Sequence, residues 1–202
     1  MKLLLTSGGL RNQELLIALF DLAGKPAKEL KVVFVPTAAN VENEDKSWLI
    51  DDLIRLKVQG FAWLDIVDFP GLTKEQWLPR FEQADVLIFE GGSTEYLVEK
   101  IKESGLEDEL MRWLKTKIYV GISAGSVMMG SVINPKGATG FNLVDFLVTP
   151  HMGSPFSKRT IEEVEAYAQK FSKKVYWLDD NAAVKVDGDG IQVVGGESKE
   201  FN

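Results

Sequence analysis

Lys117-Ile118-Tyr119-Val120-Gly121-Ile122-Ser123-Ala124-Gly125-Ser126-Val127-Met128-Met129 joins a short β-prone run to an apolar segment fit to begin a helix. At the bend lies Gly-x-Ser-x-Gly. Strand, tight turn and helix around that pentapeptide form the nucleophile-elbow pattern. A side chain displayed on a strained strand-to-helix turn needs neighbours of little bulk, and glycine tolerates the dihedrals such a turn demands. The free N–H groups at the start of the helix face a developing negative charge. The plainer reading is a glycine-rich turn that contains a serine, so the surroundings must decide.

Working outward, short apolar runs alternate with amphipathic segments. Strands are expected at Lys2–Thr6, Lys31–Pro36, Ala62–Val67, Ala84–Phe89 and Ile118–Val120, then at Phe146–Thr149, Val175–Leu178, Ala182–Val186 and Ile191–Val194. The spacing of Leu15, Leu16, Leu19 and Leu22 predicts a helix over 12–22, and further helices are expected at 42–58, 73–81, 94–101, 107–116 and 160–171. Thr73 is the expected cap of the third. Asp187-Gly188-Asp189-Gly190 reads as a hairpin turn between the last two strands. This alternation predicts one α/β domain over residues 1–202: a parallel sheet covered by helices on both faces, with antiparallel strands at one edge. In such sheets ligands sit beyond the carboxyl ends of the strands.

Composition narrows the chemistry. The chain has 202 residues, 45% of them hydrophobic, and a net charge of −7. An acidic protein with ordinary hydrophobic content is expected to bind neither nucleic acid nor an anionic membrane. There is no cysteine, which removes disulfides, thiolate nucleophiles and thiolate metal sites. The single histidine, His151, rules out a multi-histidine zinc centre. No cofactor is expected. Leu3-Leu4-Leu5 is too short for a signal-peptide core, and no apolar run approaches a membrane span, so the cytoplasm is the expected location.

Four places just past an expected strand end carry reactive groups: Gly91-Gly92-Ser93, Ser123, His151 and Asp179-Asp180. A serine hydroxyl needs a base to become a nucleophile, usually a histidine. The base needs an acid to fix its tautomer, and Asp179 and Asp180 are both candidates. Asp145 is a weaker competitor because it enters a strand rather than leaving one. Ala124, directly after the serine, can offer one backbone N–H to an oxyanion, and the Gly91-Gly92 turn another. Each feature has a plainer reading. A lone histidine is commonly a surface or core residue, and Asp179 and Asp180 can be turn residues.

Gly-Ile-Ser-Ala-Gly-Ser, the upstream Phe-Glu-Gly-Gly-Ser, the downstream Thr-Pro-His and the late Leu-Asp-Asp-Asn-Ala-Ala stand in series along the chain. Together they resemble the serine peptidase family of dipeptidase E, which also includes cyanophycinase, and the similarity spans essentially the whole sequence. The resemblance implies a fold like that of class I glutamine amidotransferase domains, with serine in place of cysteine. It also implies a nucleophile at Ser123, a base at His151, oxyanion donors at Gly92 and Ala124, and a third member at Asp180. Aspartate at 180 is one methylene shorter than the glutamate often found there. The stretch between Ser123 and His151 is shorter than in dipeptidase E proper, and an additional catalytic aspartate of that enzyme has no match here. Dipeptidase E prefers an N-terminal aspartate, and Lys158 and Arg159 can pair with a substrate carboxylate, although a solvated basic turn is the plainer reading.

Three functions fit this sequence. The first is a serine peptidase acting on small peptides through an acyl-enzyme, as a monomer or homodimer. The second is an esterase of the α/β-hydrolase type; that fold orders its triad serine, acid, histidine, whereas His151 precedes Asp179 and Asp180 here. The third is a binding module of the same fold that has lost turnover. A phosphate cradle at Ser7-Gly8-Gly9 is a weaker idea, since no Walker or GxGxxG spacing accompanies it.

Overall fold

A computed structural model describes residues 1–155 and 157–202. Its main sheet has seven strands. Five are parallel: β1 (Lys2–Thr6), β2 (Lys31–Val35), β3 (Trp63–Ile66), β4 (Val86–Phe89) and β5 (Ile118–Ile122). β2, β4 and β5 are apolar at nearly every position, as strands covered on both faces must be. The spatial order is β3-β2-β4-β5-β1, extended by a hairpin of β8 (Ala182–Asp187) and β9 (Gly190–Gly195), with β8 antiparallel to β1. Two apolar clusters lie on opposite faces. One gathers Leu15, Leu19, Phe34, Ile88 and Val120, and the other Trp77, Phe81, Phe89, Trp113 and Tyr119. The result is the three-layer α/β arrangement expected from the alternation.

The helices follow their sequence signals closely in most places. α1 (Gln13–Ala23) is capped by Asn12, whose side chain accepts from the Leu15 N–H, and it ends on a left-handed Gly24. The first departure comes after β2, where a helix over 42–58 was expected. The chain instead forms a single turn, α2 (Thr37–Asn40), then a loop, and α3 runs only over Ser47–Val58. The Asp45 carboxylate accepts from the Ser47 N–H at 3.0 Å, a local turn that holds the backbone out of helix until residue 47. α4 (Lys74–Glu82) starts with the expected Thr73 cap, completed as a capping box by Gln76. α5 (Thr94–Glu103), α6 (Leu106–Trp113), the one-turn α7 (Ala124–Val127) and α8 (Ile161–Phe171) complete the set. No helix among the described residues is long and apolar enough to cross a membrane.

The larger departure is a second sheet. β6 (Phe146–Thr149) pairs in parallel with β7 (Lys174–Leu178), and β7 pairs antiparallel with β10 (Ser198–Phe201). The Phe146 and Val175 runs, expected in the one main sheet, belong to this second one, and Ser198–Phe201, where no strand was expected, is its third strand. This small sheet has its own apolar cluster of Leu147, Val164, Ala168, Val175 and Trp177 beneath α8. It turns the strand ends at residues 151 and 180 toward the end of β5.

Candidate active site

The elbow is held from three directions. Ser123 adopts φ 47° and ψ −102°, a conformation that side-chain-bearing residues rarely take. Its N–H donates to the Thr6 carbonyl at 3.1 Å, and the Ser126 hydroxyl donates to the same carbonyl at 2.8 Å. Buried Tyr119 donates its hydroxyl to the Gly125 carbonyl at 2.6 Å. Gly125 lies so close to β4 that an added Cβ would sit 2.2 Å from the Phe89 carbonyl oxygen. That contact is the physical reason for the second glycine of the pentapeptide. Strain at one serine is thus offset by hydrogen bonds and packing around it.

The structure brings the lone histidine to this serine. His151 Nε2 is 2.9 Å from Ser123 Oγ, and Nδ1 is 2.6 Å from Asp180 Oδ1. His151 itself has φ 66°, and its backbone N–H donates to the Ser7 hydroxyl at 2.8 Å. That hydroxyl in turn donates to Asp180 Oδ1 at 3.3 Å. Arg11 stands 3.7 Å from the other carboxylate oxygen. Burial alone would raise the Asp180 pKa. The hydrogen bond and charge of His151, aided by Ser154 and Arg11, outweigh burial and hold it down at about 2. Asp180 is therefore a carboxylate at any ordinary pH.

The two acidic neighbours separate cleanly. Asp179 turns away and accepts from the N–H groups of Asn181, at 2.9 Å, and Glu197, at 3.0 Å, fastening the turn between β7 and β8. Asp145 is exposed and paired with Lys173. One methylene less than glutamate does not keep Asp180 from His151.

The Gly91-Gly92 turn needs a correction. The Gly91 N–H donates to the Glu90 carboxyl at 2.7 Å and is not available to an oxyanion. The N–H groups of Gly92 and Ala124 make no hydrogen bond among the described residues. Gly92 holds φ 126°, with the Ala38 carbonyl oxygen where a Cβ would point, so only glycine fits that place.

Ser7 and Arg11 were missed as site residues. Their only sequence signal was a Ser-Gly-Gly turn after β1, a strand end like the others. The turn supports the histidine and the acid, which leaves the phosphate-cradle idea without its hydroxyl.

Ser123 and His151 lie where two clefts meet. One, about 730 Å³, is lined by Thr94, Asn134, Lys158, Arg159 and Tyr167 among others. The other, about 290 Å³, runs between the turns after β1 and β4 and the start of α3. Lys158 and Arg159, read from sequence as solvated or as carboxylate partners, thus stand in the wall of the larger cleft. Among the described residues no cluster of three metal-ligating side chains exists.

An α/β sheet carrying a Ser–His–Asp line on a strand–turn–helix elbow is the geometry of serine hydrolases. The model of peptidase family S51 matches residues 3–194, and the chain belongs to that family. Peptidase E of Streptomyces coelicolor is 26% identical over 136 residues, covering 59% of this chain and 56% of that protein, so the match spans just over half of the relative's length. A crystal structure assigned to peptidase E of Listeria monocytogenes EGD-e superposes with a TM-score of 0.79 at 22% identity, covering 95% of this chain and 96% of that one. A peptidase from an acI-B1 actinobacterium gives 0.73 at 20% identity over 98% and 93%. At such identities the two structures speak for the fold.

Proposed function

We propose that this protein is a serine hydrolase that cleaves peptide bonds of small peptides through an acyl-enzyme on Ser123. The observation that carries this reading is the unbroken line from Ser123 Oγ to His151 Nε2 at 2.9 Å and from Nδ1 to Asp180 at 2.6 Å. His151 takes the hydroxyl proton as Ser123 Oγ attacks the scissile carbonyl. The N–H groups of Gly92 and Ala124 receive the oxyanion. The tetrahedral intermediate collapses with loss of the amine, which leaves with the proton His151 holds. A water molecule, deprotonated by His151, then releases the acid and restores the serine. Asp180 keeps the imidazole in the tautomer with Nδ1 protonated and stabilises the imidazolium.

The larger cleft suits a substrate with a carboxylate. Lys158 and Arg159 form no ion pair among the described residues and stand beside Ser123 in its wall. Aspartyl dipeptides are the substrate class this favours. The test pairs a fluorophosphonate probe, read by intact mass, with hydrolysis of aspartyl dipeptides. The expected result is one adduct on the wild-type protein, none on Ser123→Ala, and cleavage by the wild type alone. Cleavage that survives in pure Ser123→Ala overturns the proposal.

A further inference from the structure

The smaller cleft has a character opposite to the larger one. Its wall includes Glu42, Glu44, Asp52 and Glu90, against the one guanidinium, that of Arg11, among its described residues. Arg11 is already engaged: its Nε donates to the Gly8 carbonyl at 2.6 Å, and its Nη1 faces Asp180. Asp52 pairs with Arg55 at 2.8 Å. Glu42 and Glu44 form no ion pair among the described residues. Trp48, one turn before Asp52 on α3, adds an aromatic surface to the same wall.

Acidic residues alone would be a solvated rim. Glu90 makes this cleft different. It is fully buried, directly before the Gly91-Gly92 turn, and only one of its oxygens is used, as acceptor for the Gly91 N–H. The other, Oε2, is buried with no hydrogen-bond partner among the described residues. Leaving a buried carboxyl oxygen unpaired costs free energy, and an apolar side chain after β4 would avoid that cost. Burial, then the charge of Asp52, push its pKa well up, while the Gly91 N–H, Arg11 and Arg55 oppose them only partly. The wall of this cleft therefore holds a buried carboxyl oxygen with no donor among the described residues.

We propose that this cleft is the subsite for a cationic group of the substrate, an ammonium or guanidinium, received by Glu90 with Glu42 and Glu44 at its mouth and Trp48 alongside. The cation supplies the hydrogen-bond donor and counter-charge that Glu90 Oε2 lacks among the described residues, and the indole face adds a cation–π contact. This proposal deepens the hydrolase reading and rests on it for the placement of the scissile bond. Two sources share the chemistry, the α-ammonium of a peptide and a lysine or arginine side chain.

Three probes separate them. Alaninamide carries only an α-ammonium, N-acetyl-lysinamide only a side-chain ammonium, and N-acetyl-alaninamide neither. Each is tested for slowing the fluorophosphonate labelling of Ser123, as a ratio to the same protein's rate without probe. At least one ammonium-bearing probe is expected to protect, and which one does names the source; the neutral amide is expected not to. In Glu90→Gln, which keeps the acceptor for Gly91, protection is expected to weaken about tenfold in probe concentration. The double variant E42Q/E44Q, at half-buried and exposed positions of the mouth, is expected to weaken it too, and it covers the case that the buried variant fails to fold. Equal protection by the neutral amide, no protection by any probe, or unchanged protection in the variants overturns the proposal. If the wild type takes no label at all, the hydrolase reading fails. The cation subsite is then judged by isothermal titration with the same amides and the same criteria.

Discussion

The backbone N–H of His151 is donated to the hydroxyl of Ser7, 144 positions away in sequence, at 2.8 Å. A histidine with φ 66° pays for its conformation, and this bond is one of the contacts that hold it there. The same hydroxyl donates to Asp180, so one serine braces both His151 and Asp180. Ser7→Ala is therefore expected to lower kcat about tenfold with KM little changed, because the imidazole loses its fixed aim while the clefts stay intact. Steady-state kinetics on a cleavable dipeptide checks the split. A change confined to KM would assign Ser7 to substrate binding instead.

Asp179 and Asp180 are adjacent in sequence and opposite in duty. Asp180→Asn removes the charge that orients His151 and is expected to cost about 10³ to 10⁴ in kcat with the fold intact. Asp179→Asn keeps one acceptor oxygen and puts an NH2 group in place of the other, so it loses one of the two accepted N–H bonds at the β7–β8 turn. It is expected to lower the melting temperature while leaving kcat within a few-fold. Measuring both variants by melting and by turnover separates the roles, and a reversed pattern would exchange them.

This pair also marks where sequence reasoning stops. The glycines, serine and histidine were legible because strand, turn and helix signals are local and because the chain has only one histidine. The choice of Asp180 over Asp179 rests on the family resemblance alone, since in local terms it depends on which way the backbone turns after Leu178. The second sheet was hidden for a similar reason. Val175–Leu178 reads as a buried strand whichever sheet it joins, and its partners, β6 and β10, are set by tertiary packing. Glu90 reads as an ordinary polar residue leaving a strand. Only the folded chain shows it buried in the wall of the smaller cleft, with one oxygen lacking a partner among the described residues.

Acid titration gives a signed prediction. The Asp180 pKa falls from an ordinary 3.8 to about 2 in the folded protein. A depressed pKa contributes stability that is fully present above the unfolded value and is lost as pH falls through the folded one. The difference in melting temperature between the wild type and Asp180→Asn is thus expected to be constant above about pH 5 and to shrink between pH 4 and 2. A difference that stays level down to pH 2 would mean that Asp180 is not held as a stabilised carboxylate.

The tightest packing in the site predicts the harshest single-methyl effect. An alanine Cβ at Gly125 would lie 2.2 Å from the Phe89 carbonyl oxygen and 3.0 Å from the Phe89 Cβ. Neither can retreat easily, because Phe89 lies in a central strand paired on both sides, to β2 and to β5. Either the elbow shifts outward or β4 gives way. Gly125→Ala is expected to lower stability by about 4 kcal/mol or more, the range of overpacked cores and broken special conformations. Any folded fraction should label poorly with fluorophosphonate, since Ser123 and Gly92 would no longer face one another at the same spacing. Gly71→Ala is the control: its φ is ordinary and no atom lies within 4 Å of the added methyl, so stability is expected to stay within about 0.5 kcal/mol of wild type. Denaturant unfolding of the two variants compares them directly. A Gly125→Ala protein as stable and as reactive as Gly71→Ala would show that the elbow does not depend on its contact with β4.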